Sequence, residues 1–286
     1  MFSVQVGCIH IFSTLSPDGV QMKYKRMMVT SKKGGVGKST VSANLAFAFA
    51  RMGMRTMLVD LDLSNRSLDL FLGCEDSVIY DLGDVLSGRA TLDDTVLASQ
   101  KTKNLFFLPG IFNVQALDSE SMPTSEKLEE LFSEAEDLYS LDLIIVDTSG
   151  SADDSARLAY PICSTAVIVT NQTEVSIRAA ETTAYTLSLE QRKDLWLVIN
   201  NFETDVKKGT KTTVMEIIDR TRLSIIGIVP KDEELIYSQE SGKLVYEVKR
   251  SNNMTCAFDN IAARISGRHV PLFTGMKRIN RGKLLS

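Results

Sequence analysis

The chain has 286 residues, of which 44% are hydrophobic and 24% are charged, values that are ordinary for a soluble globular protein. Its formal net charge of −4 excludes binding of a polyanion through bulk charge, so any contact with nucleic acid or membrane must come from a local patch. No stretch approaches the roughly 18 consecutive apolar residues of a membrane span, so an integral membrane protein is not expected.

Residues 1–25 stand apart from the pattern that follows them. The run VQVGCIHIFST has β-type composition and SPDG is a turn signal, which predicts an extra hairpin. A poorly ordered extension and a remnant of an upstream partner domain are the alternatives. The segment has no basic region before its apolar residues, so we do not expect a signal peptide.

From residue 26 to about residue 268, short apolar runs alternate with helix-sized segments. The runs predicted as strands are RMMVTS, RTMLVD, LDLIIVD (141–147), TAVIVT (165–170), DLWLVIN (194–200) and LSIIGIVP (223–230). Near-continuous apolar strands with helical crossovers are typical of a parallel sheet covered on both faces. We therefore predict one α/β domain with a single doubly wound, mostly parallel sheet, whose ligands bind at the carboxyl ends of the strands.

The segment SKKGGVGKST occupies residues 31–40, between the first predicted strand and a segment with apolar residues at helical spacing. In this context a glycine-rich loop predicts a phosphate site, because its backbone N–H groups and the helix N-terminus turn toward phosphate oxygens. Lys38 is predicted to reach the β- and γ-phosphates, and Ser39 to offer its hydroxyl to Mg²⁺. A glycine turn beside a solvated basic cluster is the alternative.

Two further lysines precede the paired glycines of this loop. The strict motif has glycine at position 32, where this chain has Lys32. The loop instead fits the variant K-G-G-x-G-K-[ST], in which Lys33 is the additional lysine. The sequence assigns no role to Lys32.

The stretch KGGVGKST resembles the deviant Walker A motif of the MinD/ParA family of ATPases. The stretches VDLDLSNRSLDLFLGCEDSVIYDLGDVLSGRATLDDTVL, TKNLFFLP, TNQTEVS and IVPKDEEL are similar to septum-site members of that family, and the resemblance covers roughly residues 26–268. It implies a P-loop NTPase fold, ATP and Mg²⁺ as cofactors, and ATP hydrolysis. The residues it implies for the phosphate loop are Lys33, Gly34, Gly35, Val36, Gly37, Lys38, Ser39 and Thr40.

Three aspartates end predicted strands. One of Asp60 and Asp62 can face Mg²⁺ while the other addresses the attacking water, although either could be only a helix N-cap or a surface charge. Asp147 ends a buried apolar strand, where a carboxylate without a cation or donors is costly. The resemblance gives Asp62 the position of the switch I catalytic aspartate and Asp147 that of the Walker B aspartate. The expected metal-site residues are Ser39, Asp60, Asp62 and Asp147, and the expected catalytic residues are Lys33, Lys38 and Asp62.

The resemblance also implies a base site and a second subunit. It assigns Asn200 to the adenine edge, with a simple turn residue as the alternative, and it puts Pro230 and Asp232 in a loop that closes over the base. It implies that Lys33 crosses into the active site of the other subunit of an ATP-dependent homodimer. A cation delivered in this way stabilises charge on the γ-phosphate, as an arginine finger does.

The chain departs from the septum-site pattern at its switches. Ser64 stands where the family has glycine, Ser67 where it has asparagine, and DTSGS, which contains Ser149, where it has DSPAG. The core chemical groups remain, so we expect hydrolysis. The departures leave the switch geometry and the response to partners open.

Residues 269–286 form a basic C-terminal tail. No acidic residue follows Asp259, and Leu272, Met276 and Ile279 recur at helical spacing. Basic residues near an anionic bilayer contribute about 1 kcal/mol each, which predicts weak, reversible membrane binding. A frayed, solvated tail is the alternative, and Gly275 and Gly282 disfavour a helix.

Together these patterns predict a Mg-ATP-dependent dimerising ATPase switch that is cytoplasmic and peripheral on the inner face of the cell membrane. Its predicted task is spatial positioning, with cell-division site selection as the leading case, and it would respond to an unidentified activating or cargo protein. The alternatives are a positioner of flagella or pili, a ParA-type DNA-partition ATPase, and an ATP-gated scaffold with negligible hydrolysis. DNA is the less favoured partner.

Overall fold

The computed structural model describes residues 23–150, 155–190, 194–203, 212–232, 241–248, 252–270 and 272. Within these residues one eight-stranded sheet runs through the centre of the fold. Its strands are β1 (Arg26–Thr30), β2 (Thr56–Leu61), β3 (Leu97–Ala98), β4 (Leu105–Leu108), β5 (Leu143–Thr148), β6 (Thr165–Thr170), β7 (Asp194–Phe202) and β8 (Ser224–Pro230). The hairpin predicted before residue 23 and the membrane segment predicted after residue 272 lie outside the described residues.

The order of the strands explains how distant motifs come together. The order is β3-β4-β2-β5-β1-β6-β7-β8, and all neighbours pair in parallel except β3 and β4. Strand β5 lies between β1 and β2, and Asp60 is opposite Asp147 in the β2–β5 register. The loops that follow these three strands therefore meet at the carboxyl edge of the sheet, where ligands bind in folds of this kind.

Helices cover both faces of the sheet. They are α1 (Lys38–Arg51), α2 (Leu68–Leu72), α3 (Leu82–Leu86), α4 (Leu92–Thr95), α5 (Ser125–Leu138), α6 (Ser155–Ile162), α7 (Glu174–Glu190), α8 (Val214–Thr221) and α9 (Asn252–Ile265). Strand side chains alternate between two cores, so Met27 and Val29 pack with α1, α2 and α9, while Met28 packs with α5, α6, α7 and α8. This arrangement confirms the predicted doubly wound, mostly parallel α/β sheet.

Helix α1 gives the phosphate loop a rigid support. Its apolar residues Val41, Leu45 and Ala48 are fully buried against the sheet, as their spacing predicts. Just past the helix end, Gly53 has a φ of 90°, a left-handed conformation that glycine tolerates. The loop is therefore held between a buried strand and a buried helix.

Some features were not predicted. The edge strand β3 and its neighbour β4 were not assigned from the sequence, although all four residues of β4 are buried. The sequence has no CxxC pair, a pattern that predicts reduced thiols. Cys74 and Cys163 are free thiols, whereas Cys256 is disulfide-bonded, so that prediction is wrong at Cys256.

Candidate nucleotide site

The loop between β1 and α1 depends on glycine at two positions. Gly35 and Gly37 have φ angles of 75° and 89°, in the left-handed region that is strained for other residues. Close packing adds a second constraint, because a Cβ on Gly37 would lie 2.1 Å from Nδ2 of Asn200. Between the two glycines, the side chain of Val36 is buried. The loop is thus fixed against the end of β7.

Helix α1 begins without a side-chain cap. Its N-cap residue is Gly37, no side chain hydrogen-bonds to the cap position, and the first turn contains no acidic residue. The first N–H groups of a helix have no partner within the helix, and together with the macrodipole they favour an anion. This end of α1 is therefore suited to receive a phosphate group.

The loop after β5 packs directly on the phosphate loop. A Cβ added to Gly150 would lie 2.6 Å from Nζ of Lys38 and 2.9 Å from both N and Cα of Gly34. Only glycine leaves room for this approach. The ammonium of Lys38 is thereby brought between the two loops, and the Lys38 residue as a whole is buried.

Asp147 is fully buried at the end of β5, beside α1. Its Oδ1 accepts a hydrogen bond from Oγ of Ser42 at 2.7 Å, and its Oδ2 has no hydrogen-bond partner. Burial raises the pKa of this carboxyl to about 6, against the lowering effect of the Ser39 and Ser42 hydroxyls and of the Lys38 ammonium. A buried carboxylate oxygen without a partner is costly, and it fits a cation or a bound water better than an apolar surrounding.

Asp60 is also buried, and backbone donors surround it. Its Oδ2 accepts from the N–H groups of Ser67 and Leu68 at 3.2 Å, and its Oδ1 accepts from the N–H group of Asp62 at 3.1 Å. Burial, with a smaller contribution from the adjacent Asp147, raises its pKa to about 7. The side chain of Asp60 therefore satisfies the first N–H groups of α2 from the end of β2, while the N-cap residue of that helix is Ser67.

Asp62 lies one residue beyond the end of β2 and is half-buried. Its Oδ1 accepts from the N–H groups of Ser64 and Asn65, both at 3.0 Å, in a turn that the side chain itself stabilises. Residues two apart on a strand point to the same face of a sheet. Asp60 and Asp62 nevertheless have different surroundings, because β2 ends at Leu61, between them.

The residues expected at the base lie at the ends of two neighbouring strands. Nδ2 of Asn200 donates to the carbonyl oxygen of Val36 at 2.9 Å, and Oδ1 of Asn200 is buried with no hydrogen-bond partner. The β7–β8 register is irregular here and pairs Phe202 with Pro230. Asp232 follows two residues later. Asn200 is thus in direct contact with the phosphate loop, which the sequence did not predict.

The two additional lysines have different surroundings. Lys33 is exposed, its Nζ donates to the carbonyl oxygen of the adjacent Gly34 at 3.1 Å, and its N–H group donates to Oγ of Ser31 at 3.3 Å. Lys32 instead reaches helix α7, where its Nζ donates to Oγ1 of Thr186 at 2.8 Å. No sequence pattern indicated the Lys32 contact, because Thr186 follows Lys32 by 154 residues.

Other parts of the site were also not predicted from the sequence. Ser42 lies one turn after Ser39 on α1, a spacing that could have indicated a second hydroxyl facing the same strand end. Thr40 is buried, and its carbonyl oxygen accepts from Nδ2 of Asn44 at 2.9 Å. The departure at Ser149 is accommodated at the start of α6, where its N–H group donates to Oγ of Ser155 at 3.0 Å.

Comparison with known proteins identifies the family. The ParA family, described as "NUBPL iron-transfer P-loop NTPase", matches residues 22–266. The chain belongs to the ParA family of P-loop NTPases. The resemblance found in the loop sequence is thereby confirmed, and the chain is an ATPase of this family.

Two kinds of relative narrow the position of the chain within the ParA family. The septum site-determining protein MinD of Synechocystis is 31% identical over 255 residues, which cover 89% of this chain and 94% of that protein. A solved MinC:MinD cell division protein complex from Aquifex aeolicus is 29% identical with a TM-score of 0.77, covering 87% of this chain and 98% of that one. The septum site-determining protein MinD of Pyrococcus horikoshii, solved with Mg-ADP, is 25% identical with a TM-score of 0.71, covering 84% and 95%.

Two further features of the described residues bear on the site. None of their helices is both long and apolar enough to cross a bilayer. Among the same residues, no group of three or more His, Cys, Asp or Glu side chains is arranged to hold a metal ion. Magnesium at a P-loop is bound mainly through a Ser or Thr hydroxyl, phosphate oxygens and water, so a cluster of that kind is not needed for it.

Proposed function

We propose that this protein is a Mg-ATP-dependent dimerising switch of the MinD type, which hydrolyses ATP to control reversible membrane association and cell-division site selection. The observation that carries the proposal is the unpartnered Oδ2 of Asp147, buried beside the uncapped N-terminus of α1. A cation and a phosphate chain are the groups that this pair of features accommodates best. The two features lie at the carboxyl edge of one sheet, as expected for a nucleotide site.

The residues present fit a magnesium ion. The hydroxyl of Ser39, in the first turn of α1, lowers the pKa of Asp147, so a hydroxyl and a carboxylate are neighbours at the start of this helix. We propose that Ser39 binds the ion directly and that Asp147 holds it through water, with Asp60 supporting the position from its hydrogen bonds to the start of α2. When bound, magnesium would neutralise charge on the β- and γ-phosphates.

We assign the other site residues by their surroundings. Lys38, held between Gly34 and Gly150, would pair with the phosphates. Asp62 is half-buried at the edge of the site and would orient the attacking water. The buried Oδ1 of Asn200 would accept a hydrogen bond from the amino group of adenine, which guanine lacks at that position. Pro230 and Asp232 would close over the base.

The exposed position of Lys33 supports the proposed dimerisation. Its ammonium contacts only the carbonyl oxygen of the next residue among the hydrogen bonds of the described chain, and it is exposed. We propose that it reaches the nucleotide of a second copy, where it would stabilise charge on the γ-phosphate. ATP would then hold the two copies together, and hydrolysis would release them. The relative from Aquifex aeolicus was solved in complex with MinC, and we propose a protein partner of that general kind here.

Phosphate release tests the enzymatic part of the proposal. The full chain is assayed with Mg-ATP, with and without vesicles of anionic lipid, beside Asp62→Ala as the matched control. We expect turnover of the wild-type protein in at least the vesicle condition and a loss of about 10²-fold or more in the variant. Equal rates for the two proteins would overturn the assignment of Asp62, and equal, negligible rates would favour an ATP-gated scaffold.

Vesicle sedimentation tests the membrane part. Leu272, the last described residue, packs partly buried against the core on the α5–α8 face. We expect the full chain to sediment with anionic vesicles in ATP and a chain ending at residue 272 to remain in solution. If duplex DNA rather than lipid retains the full chain, with a steep dependence on salt, a partition ATPase is the better interpretation.

A further inference from the structure

Lys32 joins the phosphate loop to helix α7 at two points. Its backbone N–H group donates to Oγ1 of Thr183 at 3.3 Å, and its ammonium donates to Oγ1 of Thr186 at 2.8 Å. Both acceptors belong to consecutive turns of one helix face. Lys32, where the strict motif has glycine, therefore connects the loop to α7. This helix packs on the face of the sheet opposite to α1.

The two threonine hydroxyls are oriented as acceptors. Oγ1 of Thr183 donates its own hydrogen to the carbonyl oxygen of Ala179 at 2.7 Å, and Oγ1 of Thr186 donates to that of Thr182 at 2.9 Å. A hydroxyl has one hydrogen and two lone pairs. Because each hydrogen is used within the helix, the lone pairs are directed to the donors of Lys32.

Helix α7 is the fixed side of this bridge. Ile177, Ala180 and Leu187 are buried in the core, and the hydroxyl of Tyr160 donates to the carbonyl oxygen of Leu187. Thr183 is itself only 3% exposed. The helix therefore has little freedom to follow the loop, and the two hydrogen bonds restrict the loop rather than the helix.

The backbone does not need glycine at position 32. Among the described residues, the non-glycine residues with positive φ are Ser140, Asn201 and Arg222. Lys32 is therefore in an ordinary backbone conformation. A glycine there would lack the ammonium and would increase the freedom of the loop. The lysine thus adds a contact without adding strain.

We propose that Lys32 is a positioning residue for the phosphate loop. By fixing the point at which the chain leaves β1, it holds Lys33 and Gly34–Lys38 in the conformation that receives the nucleotide. The inference rests on the proposed binding of nucleotide at this loop, but on neither dimerisation nor membrane contact. Loss of one hydrogen bond changes an equilibrium by about 2- to 10-fold, and the apparent Kd rises as the competent fraction of the loop falls.

A set of substitutions at both ends of the bridge tests this proposal. Lys32→Met and Thr186→Val each remove the ammonium–hydroxyl bond, and Lys32→Arg and Thr186→Ser keep a donor and an acceptor. Thr182→Val is the matched control, because its hydroxyl donates only to the carbonyl oxygen of Arg178 in the same helix. Each protein is titrated with Mg-ADP, assayed for kcat and KM, and followed without nucleotide by hydrogen exchange of residues 31–38.

We expect Lys32→Met and Thr186→Val to raise the Kd for Mg-ADP about 2- to 10-fold, to raise KM by a similar factor and to leave kcat within about 2-fold. The variant that carries both Lys32→Met and Thr186→Val should bind Mg-ADP no more weakly than the weaker-binding single variant, because both substitutions remove the same hydrogen bond. The conservative variants and Thr182→Val should bind like the wild type. Additive effects, an unchanged Kd, or an equal effect of Thr182→Val would overturn the proposal.

Hydrogen exchange separates this proposal from the proposed function. If the wild-type protein did not bind Mg-ADP, the proposed function would fail, and exchange would still report on the bridge. Faster exchange at residues 31–38 in Lys32→Met and Thr186→Val, with no change in Thr182→Val, would support the bridge. Exchange that is the same in all of these proteins would refute it.

Discussion

Replacing Gly150 with alanine should force the phosphate loop and the loop after β5 apart. The added Cβ would lie 2.9 Å from N and Cα of Gly34, whereas unstrained contacts between such atoms are about 3.5 Å or longer. The ammonium of Lys38, at 2.6 Å, can swing aside, but the main chain at Gly34 cannot. The two loops must therefore separate by roughly 0.6 Å or keep the strain, and overpacking of this kind costs about 1–3 kcal/mol.

That free energy should appear in one of two measurements. If the loops separate, the Kd for Mg-ADP rises, by up to about 150-fold for 3 kcal/mol. If the strain remains, the free energy of unfolding measured in urea falls by about 1–3 kcal/mol. Gly34→Ala is the control for unfolding, because nothing lies within 4 Å of a Cβ at that position. A Gly150→Ala protein with wild-type stability and wild-type affinity would refute the close packing of the two loops.

Two other predictions concern buried polar groups. The pKa of Asp147 is raised to about 6 in the folded state, so its carboxyl lowers the free energy of unfolding of the nucleotide-free protein as pH rises from about 4 through 6. Asp147→Asn should flatten this change when urea unfolding is followed in EDTA. A free energy of unfolding that falls as steeply in the variant as in the wild type would contradict this prediction. Asn200→Ala removes both the donor to Val36 and the unpartnered Oδ1, so the preference for ATP over GTP in competition binding should fall about 10-fold. A loss of stability with an unchanged preference would mean that Asn200 only stabilises the phosphate loop.

Local patterns predicted most of the fold. The strands at Arg26–Thr30, Leu143–Thr148 and Thr165–Thr170 are continuous apolar runs, and the glycine loop is bounded by a strand and a helix, so no distant contact was needed to recognise them. The strands at Leu97–Ala98 and Leu105–Leu108 were missed because they are short and lie in irregular chain. Length and periodicity carry little information for such elements.

The site was less predictable than the fold, because several of its contacts join distant parts of the chain. The hydrogen bonds that Asp60 accepts depend on where α2 begins, which no sequence pattern fixed. The contact between Gly150 and Gly34, and that between Asn200 and Val36, exist only once the strands are ordered in the sheet. Types of residue indicated the chemistry, and the order of the strands determined which groups meet.

In the proposed function, ATP joins two copies of the chain through Lys33. The direct measurement is the mass in solution, by light scattering with saturating Mg-ATP, of Asp62→Ala and of the same protein with Lys33→Ala added. We expect a dimer of about twice 31.6 kDa for the first and a monomer for the second, while Lys32→Met in the same background still dimerises at saturating ATP. A Lys33→Ala protein that dimerises as readily as its parent would contradict the claim.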